Sequence, residues 1–185
     1  MSFAVRTQAS PVAGGGGGGG FTPVTHNVTA QGVTVETVPL GATLCTVTDQ
    51  APGGGGTYSG GLEPTAVGGS AGGMARRTIA VVGGNTFTVN MGAPGFSGAN
   101  AGNATVAGTV AGGAINLVAN GGITPGFTGW PSGGTASGGT TNISGGPGSS
   151  SGGGASPFGP GFGNGADGTV VSTTGDPGIV QFAYT

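Results

Sequence analysis

Few residues of this chain could perform acid–base or nucleophilic chemistry. His26 is the only histidine in the sequence and Cys45 the only cysteine. A hydrolytic triad needs a histidine beside a nucleophile and an acid. His26 instead stands between Val24 and Val28 in an alternating run, so we interpret it as a structural or surface histidine. Cys45 lies in the apolar-alternating run 44–47 and is expected to be a small buried residue.

Metal and cofactor sites are not expected either. One histidine and one cysteine are too few for a zinc site. Asp167 and Asp176 could contribute to a calcium site, but no dense loop of oxygen ligands accompanies them, and Asp beside Gly or Pro is typical of turns. Residues 163–168 match the dinucleotide pattern GxGxxG, of which roughly three chance matches are expected in so glycine-rich a chain. Because lysine is absent, there is no P-loop, and the sequence predicts neither an enzyme nor a cofactor.

The balance of charge excludes two further classes of protein. The formal net charge is −2, and Arg6, Arg76 and Arg77 are the only strong cations. A nucleic-acid binder needs a basic face to neutralise phosphates, so that class is excluded. No run of about 18 apolar residues is present, so membrane insertion is not expected. The first twenty residues also lack the apolar segment of a secretory signal.

Alternating β-branched residues predict a mainly β fold. Three short strands are expected within residues 21–49. The runs 74–82 and Thr86–Met91 are separated by Gly83-Gly84-Asn85, which predicts a β-hairpin. Further strand-like runs are 105–110, 114–119, Val170-Val171 and Ile179–Tyr184. No segment has helical periodicity, so no significant helix is expected.

Glycine dominates the rest of the chain. It accounts for 49 of 185 residues, a content usually associated with disorder. Disordered segments are normally rich in charge, whereas only 4% of these residues are charged, which favours an ordered chain held by its backbone. We divide it into an N-terminal glycine-rich docking arm, 1–22, and a glycine-rich β domain, 23–185. The candidate contact residues of the arm are Phe3, Val5 and Arg6.

Four motifs in order carry a resemblance. They are TVETVPLGATLCTVTDQAPGGGG (34–56), GGSAGGMARRTIAVVGGNTFTVNMGAPG (68–95), ASPFGPGFG (155–163) and GDPGIVQFAYT (175–185). This order resembles the glycine-rich C-terminal domain of bacteriophage tail fibres and receptor-binding adhesins. The resemblance implies that the tracts of 92–168 form packed polyglycine II-type helices beside a small antiparallel sheet. Asp49-Gln50 departs from the family pattern, and no long shaft domain precedes the motifs, which favours a small stand-alone virion protein.

The resemblance also implies a function. The expected protein is a non-enzymatic virion component, made in the host cytoplasm and placed on the phage tail as a small fibre or tail-tip adhesin. Its partners would be other tail or baseplate proteins and a bacterial surface receptor, and tail fibres are usually homotrimers. Two alternatives stay open, namely a capsid or tail decoration protein that recognises nothing and an extracellular glycine-rich coat protein outside phages.

Four aromatic residues stand alone among glycine, proline and serine, and they are the candidate contact residues of the domain. They are Phe127, Trp130, Phe158 and Phe162. They could pin the glycine tracts or a subunit contact. Alternatively, they could present aromatic surface to a receptor, since aromatic side chains give much contact area at low entropic cost.

Overall fold

The described residues form an all-β fold without a helix. A computed structural model describes residues 20–59, 65–96, 98–125, 130–150, 152–168 and 173–185. The strands are β1 (Val24–Val28), β2 (Gly32–Thr37), β3 (Leu44–Gln50), β4 (Thr57–Ser59), β5 (Thr65–Val67), β6 (Met74–Ala80), β7 (Thr86–Met91), β8 (Ala104–Val110), β9 (Gly113–Ala119), β10 (Ala136–Ser137), β11 (Thr141–Ile143) and β12 (Ile179–Tyr184). The predicted absence of helix is thus confirmed for this part of the chain. The Val170-Val171 run lies outside the described residues.

Ten of these strands build two antiparallel sheets that pack face to face. The first sheet has the order β1-β12-β3-β6-β11, and the second has the order β10-β9-β8-β7-β2. Among the described strands, β4 and β5 form a separate two-stranded sheet. The architecture is therefore a β-sandwich larger than the small sheet that the sequence predicts.

Alternation of side chains along the strands builds the core of the sandwich. On β7, Phe87, Val89 and Met91 are buried and the residues between them are exposed. On β12, Val180, Phe182 and Tyr184 point into the same core. The rings of Phe87 and Phe182 meet across the two sheets, with centroids 5.2 Å apart. Apolar residues recur at every second position because the inner face of each sheet packs against the inner face of the other sheet.

The hairpin predicted from residues 74–82 and Thr86–Met91 is wrong. β6 pairs with β3 and β11 in the first sheet, whereas β7 pairs with β2 and β8 in the second. The connection between them crosses from one sheet to the other. Its backbone is held by hydrogen bonds from Val81 N–H to the Thr43 carbonyl and from Val38 N–H to the Asn85 carbonyl. A short Gly-Asn connection permits either geometry, because the apolar alternation fixes which face is buried but not which strand is the neighbour. The strand-like runs 105–110 and 114–119 do form adjacent antiparallel strands, β8 and β9.

The sandwich has two unlike ends. At one, which we call the terminal end, lie Phe21, the short connections 38–43, 81–85 and 111–112, and Thr185. This follows from the register, since Val24 pairs with Tyr184 and Leu44 with Ala80. At the opposite end, which we call the glycine end, the chain continues into the glycine-rich segments after β3, β7, β9 and β11 and before β6 and β12. The described parts of these glycine-rich segments therefore lie beyond the same edge of the two sheets.

Candidate functional site

Backbone hydrogen bonds at the glycine end repeat every third residue. In the segment 68–73, the N–H groups of residues 68 and 71 donate to carbonyls of 145–149. The N–H groups of residues 69 and 72 donate to carbonyls of 163–166, and the N–H groups of residues 70 and 73 donate to carbonyls of 120–123. All six distances between nitrogen and oxygen are 2.9–3.0 Å. Successive amides therefore point in three directions. The segment thus bonds to three neighbours through its donors alone.

The carbonyls of the same segment accept from three more neighbours. Gly69 accepts from Gly154, and Ala71 accepts from Gly134. Ser70 and Gly73 accept from the segment 51–54. The segment 68–73 is therefore surrounded by six others, and all six of its N–H groups have backbone acceptors although it belongs to no sheet. Buried amides and carbonyls must find hydrogen-bond partners. These backbone bonds therefore order a segment in which most residues have no side chain to pack.

Two other segments show the same spacing of three. Gly53 and Gly56 both donate to the segment 173–176, at 3.0 and 3.2 Å. Gly145 and Gly148 both donate to the segment 131–134, at 2.9 and 3.1 Å. We call these hydrogen-bonded segments, namely 51–56, 68–73, 120–124, 131–135, 145–149, 152–155, 163–168 and 173–177, the glycine array.

The array is packed so closely that only glycine fits at many positions. A Cβ atom added to Gly165 would lie 1.9 Å from the Gly69 carbonyl oxygen, and one added to Gly145 would lie 2.2 Å from that of Ala71. Real Cβ atoms essentially never come within 3.0 Å of another heavy atom. Ala71 and Ser70 are themselves completely buried, and the Ser70 hydroxyl accepts a hydrogen bond from Ile123 N–H at 2.7 Å. Glycine is therefore required here for close approach between backbones.

Two of the four aromatic candidates form a pair in a loop of the array. The rings of Phe158 and Phe162 meet edge to face, with centroids 6.0 Å apart and an interplanar angle of 88°. Gly159 and Gly161 between them have φ values of 122° and 88°, a region that side chains rarely allow. The Phe158 amide also donates to the Ser156 hydroxyl at 3.1 Å. Both rings are half-buried, so the loop is a fixed feature with aromatic surface still accessible.

Trp130 is the most exposed of the described candidates. Its exposed fraction is 69%, far above what is usual for a side chain that pins a packed array. The structure does not bring it into ring contact with Phe158 or Phe162, since that pair contacts only each other among the described aromatic residues. The other candidates, Phe127, Phe3, Val5 and Arg6, lie outside the described residues.

An acidic groove of about 540 Å³ lies beside the aromatic loop. Its lining residues are Gly153, Gly154, Ala155, Asn164, Gly165, Ala166, Asp167, Thr173, Thr174 and Asp176. The Phe158–Phe162 loop begins and ends at two of them, Ala155 and Asn164. Asn164 is held in place, because its Nδ2 donates to Asp176 at 2.7 Å and its Oδ1 accepts from Ser156 N–H at 2.8 Å. The groove therefore offers carboxylate, amide and hydroxyl groups in a fixed arrangement.

The sequence did not reveal a polar cluster between the edge strands β1 and β2 of the sandwich. His26 Nδ1 lies 2.7 Å from Glu36 Oε1, and the Tyr184 hydroxyl donates to the same carboxylate oxygen at 3.1 Å. Burial, followed by the nearby Glu36 carboxylate, raises the pKa of Tyr184 well above its usual value. His26 also meets the Tyr184 ring edge to face at 5.5 Å. The expectation of a structural histidine agrees with these contacts, and a glutamate ten residues from a histidine was the only signal that could have suggested them.

Cys45 and Asp49 point into the core from β3. Both are fully buried. Burial raises the pKa of the Cys45 thiol to about 12, with the Glu36 charge adding to the shift and a hydrogen bond with Tyr184 opposing it. Because the thiolate is the reactive form, this thiol is a packed side chain and a poor nucleophile. Burial likewise raises the pKa of Asp49 well above its ordinary value, although the nearby Ala119 amide opposes the shift.

Within the described residues, no three His, Cys, Asp or Glu side chains come together as metal ligands. That part of the chain also contains no helix long and apolar enough to cross a membrane. No protein-family model matches the sequence, and no curated protein is significantly similar to it.

Proposed function

We propose that this chain is a non-enzymatic structural protein of a bacteriophage particle, made in the host cytoplasm and mounted on the tail as a small fibre or tail-tip adhesin. The observation that carries the proposal is the placement of the aromatic residues. The described chain starts at the terminal end, where Phe21 packs beside Gly41. Trp130 and the Phe158–Phe162 pair lie in segments of the opposite, glycine end. A molecule attached through its N-terminal arm would therefore present these aromatic groups outward.

The rigidity of the array supports this use. Binding loops lose less entropy on contact when they are already held in one conformation. Here the Phe158–Phe162 loop starts and finishes in segments that are bonded to several neighbours, so the array acts as a scaffold for its aromatic side chains. We propose that the segments pack as polyglycine II-type helices, because that conformation has three residues per turn and the observed bonds repeat every three residues. Measured backbone dihedral angles along 68–73 test this, and scattered angles would contradict it.

The reactive side chains support a non-enzymatic role. His26 is engaged with Glu36, and the Cys45 thiol is buried. The partners we propose are other tail or baseplate proteins, a bacterial surface receptor and further copies of this chain in a homo-oligomer, with a trimer as the expectation. No cofactor and no nucleic acid enters the proposal.

Decoration of a capsid or tail is the second candidate, favoured by the outer face of the second sheet. On β2, Val33 is 71% exposed and Val35 is 52% exposed. Along β7 and β8 the same face carries Thr, Asn and Ala side chains and no charge. An uncharged, partly apolar sheet face is suited to contact between subunits.

Electron microscopy of the intact particle tests the location. Density at the tail tip supports adhesion, and a regular lattice on the capsid supports decoration. Absence of the chain from particles overturns both.

A Trp130→Ala variant then tests the role of the glycine end. Adhesion predicts particles that assemble normally and adsorb poorly to host cells. Ser132, two residues further along the chain, is also exposed, so Ser132→Ala is the matched control and should adsorb normally. Particles that fail to assemble when Trp130 is replaced show that it serves a subunit contact instead.

A further inference from the structure

An apolar surface lies at the terminal end. Leu40 is 86% exposed, Val82 57% and Leu44 44%. Leu40 packs over the connection that follows Val82, since a Cβ added to Gly83 would lie 3.0 Å from Leu40 Cδ2. Leu44 pairs with Ala80, two residues before Val82. We call Leu40, Leu44 and Val82 the terminal patch.

The connections around the terminal patch carry no charged side chain. Residues 38–43, 81–85 and 111–112 contain none. The described Asp and Glu side chains lie elsewhere, with Glu36 and Asp49 buried and Asp167 and Asp176 at the glycine end. The surface at the terminal end therefore suits an apolar occupant with little charge.

The chain itself brings such an occupant to this place. The described residues begin at Gly20, and Phe21 packs against the core beside Gly41, which directly follows Leu40. Residues 1–13, MSFAVRTQASPVA, are joined to Phe21 by the seven glycines of 14–20. They contain Phe3, Val5 and Val12 and a single charged side chain, that of Arg6.

We propose that residues 1–13 cover the terminal patch of their own molecule. Eight residue steps separate Ala13 from Phe21, which is at most roughly 29 Å of fully extended chain. Tethering at this length gives an effective concentration of the order of millimolar, so even weak apolar contacts favour occupancy. The tether keeps the segment near its own patch, so no second molecule is needed to supply it.

This inference does not rest on a role in a virus particle. It assigns the terminal patch to the N-terminal segment, and any attachment partner then binds the completed surface or displaces the segment.

A paramagnetic label on the N-terminal segment tests the proposal. Cys45 is completely buried, so a nitroxide introduced through Ser2→Cys in the full chain should react at the new position. We expect selective broadening of the amide signals of Leu40, Gly41, Val82 and Gly83, and none at Gly165, which lies in the glycine array at the opposite end of the sandwich. Uniform signals across all of these amides overturn the proposal.

A mixed sample distinguishes one molecule from two. In it, only wild-type chains carry nitrogen-15 and only the variant chains carry the nitroxide. Unbroadened signals in the mixture support coverage within one molecule. Broadening of the patch amides in the mixture shows that a second copy supplies the segment and overturns the proposal.

A second measurement uses deletion of residues 1–13. Loss of the cover should increase the fluorescence of a dye that binds apolar surface, and this increase should be at least halved when the deletion is combined with Leu40→Ser and Val82→Ser. Val33→Ser alters an apolar side chain on the outer sheet face, with an exposed fraction between those of Leu40 and Val82. It is the matched control and should preserve the increase. A deletion that leaves the fluorescence unchanged contradicts the proposal.

Discussion

His26 and Glu36 join the two sheets along one open side of the sandwich, with His26 Nδ1 2.7 Å from Glu36 Oε1. His26 belongs to β1, the edge of the first sheet, and Glu36 to β2, the edge of the second. On the other side, the short strands β10 and β11 extend the two sheets. The histidine–glutamate contact is therefore a side-chain link between two strands that share no backbone pairing.

Replacing Glu36 should weaken the sandwich. Glu36→Ala removes the acceptor of the buried Tyr184 hydroxyl and the partner of His26, and buried donors without acceptors are costly. We expect the free energy of unfolding at pH 7 to fall by about 2–4 kcal/mol, measured by urea denaturation. Thr37→Ala, at the exposed neighbouring position, should change it by less than about 0.5 kcal/mol. Equal effects of the two substitutions would show that the link contributes nothing.

The sequence predicted the strands much better than their partners. Alternation of apolar and polar residues located the strands in 21–49 and Ile179–Tyr184, because a strand with one buried face has an apolar side chain at every second position. It did not reveal that β6 and β7 belong to different sheets, since both bury one face in the same core. Strand pairing depends on contacts between distant segments, such as that of Cys45 with Tyr184. The spacing of residues within one strand does not indicate which distant strand pairs with it.

Asp49 should make the stability of the chain depend on pH. Burial raises its pKa in the folded chain, so the folded state holds a proton that the unfolded chain releases. The resulting stabilisation is fully present below the unfolded pKa of about 3.9 and is lost as the pH rises towards and through the folded pKa. Asp49→Asn removes this loss. The free energy of unfolding of the variant minus that of the wild type should therefore be larger at pH 7 than at pH 4.

Urea denaturation of both proteins at several pH values measures this difference. The exposed Asp167→Asn substitution controls for the removal of one negative charge. The prediction is contradicted if the free energies of unfolding of Asp49→Asn and the wild type differ by the same amount from pH 4 to pH 7.

Close packing of the glycine array predicts a large effect of one added methyl group. In Gly72→Ala, the new Cβ would lie 2.2 Å from the Ala51 carbonyl oxygen, so two backbones must separate and their hydrogen bonds must lengthen. We expect a loss of about 3 kcal/mol in the free energy of unfolding. Gly20→Ala is the matched control, because no atom lies within 4 Å of the added Cβ. If Gly72→Ala unfolds like the control, the array is looser than its distances indicate.

The candidate site was predictable only in part. Isolated aromatic residues in a glycine-rich chain are visible in the sequence, and Phe158 and Phe162 do form one loop. Their pairing depends on the positive φ angles of Gly159 and Gly161, which follow from the loop conformation and leave no distinct signal beyond glycine itself. The contact between Asn164 and Asp176 was equally invisible, because it joins two segments of the array through a side-chain hydrogen bond.

The contact between Phe158 and Phe162 should be measurable as a coupling energy. Edge-to-face aromatic pairs contribute about 0.5–1.5 kcal/mol beyond the area they bury, so Phe158→Ala and Phe162→Ala should together cost less than the sum of the single effects by that amount. A double-mutant cycle in urea measures it. Combining Phe158→Ala with Val33→Ser, a substitution on the outer face of the second sheet, gives the control cycle and should be additive within about 0.5 kcal/mol. An additive result for the phenylalanine pair would mean that the two rings do not stabilise one another, and that the loop is held by its backbone hydrogen bonds alone.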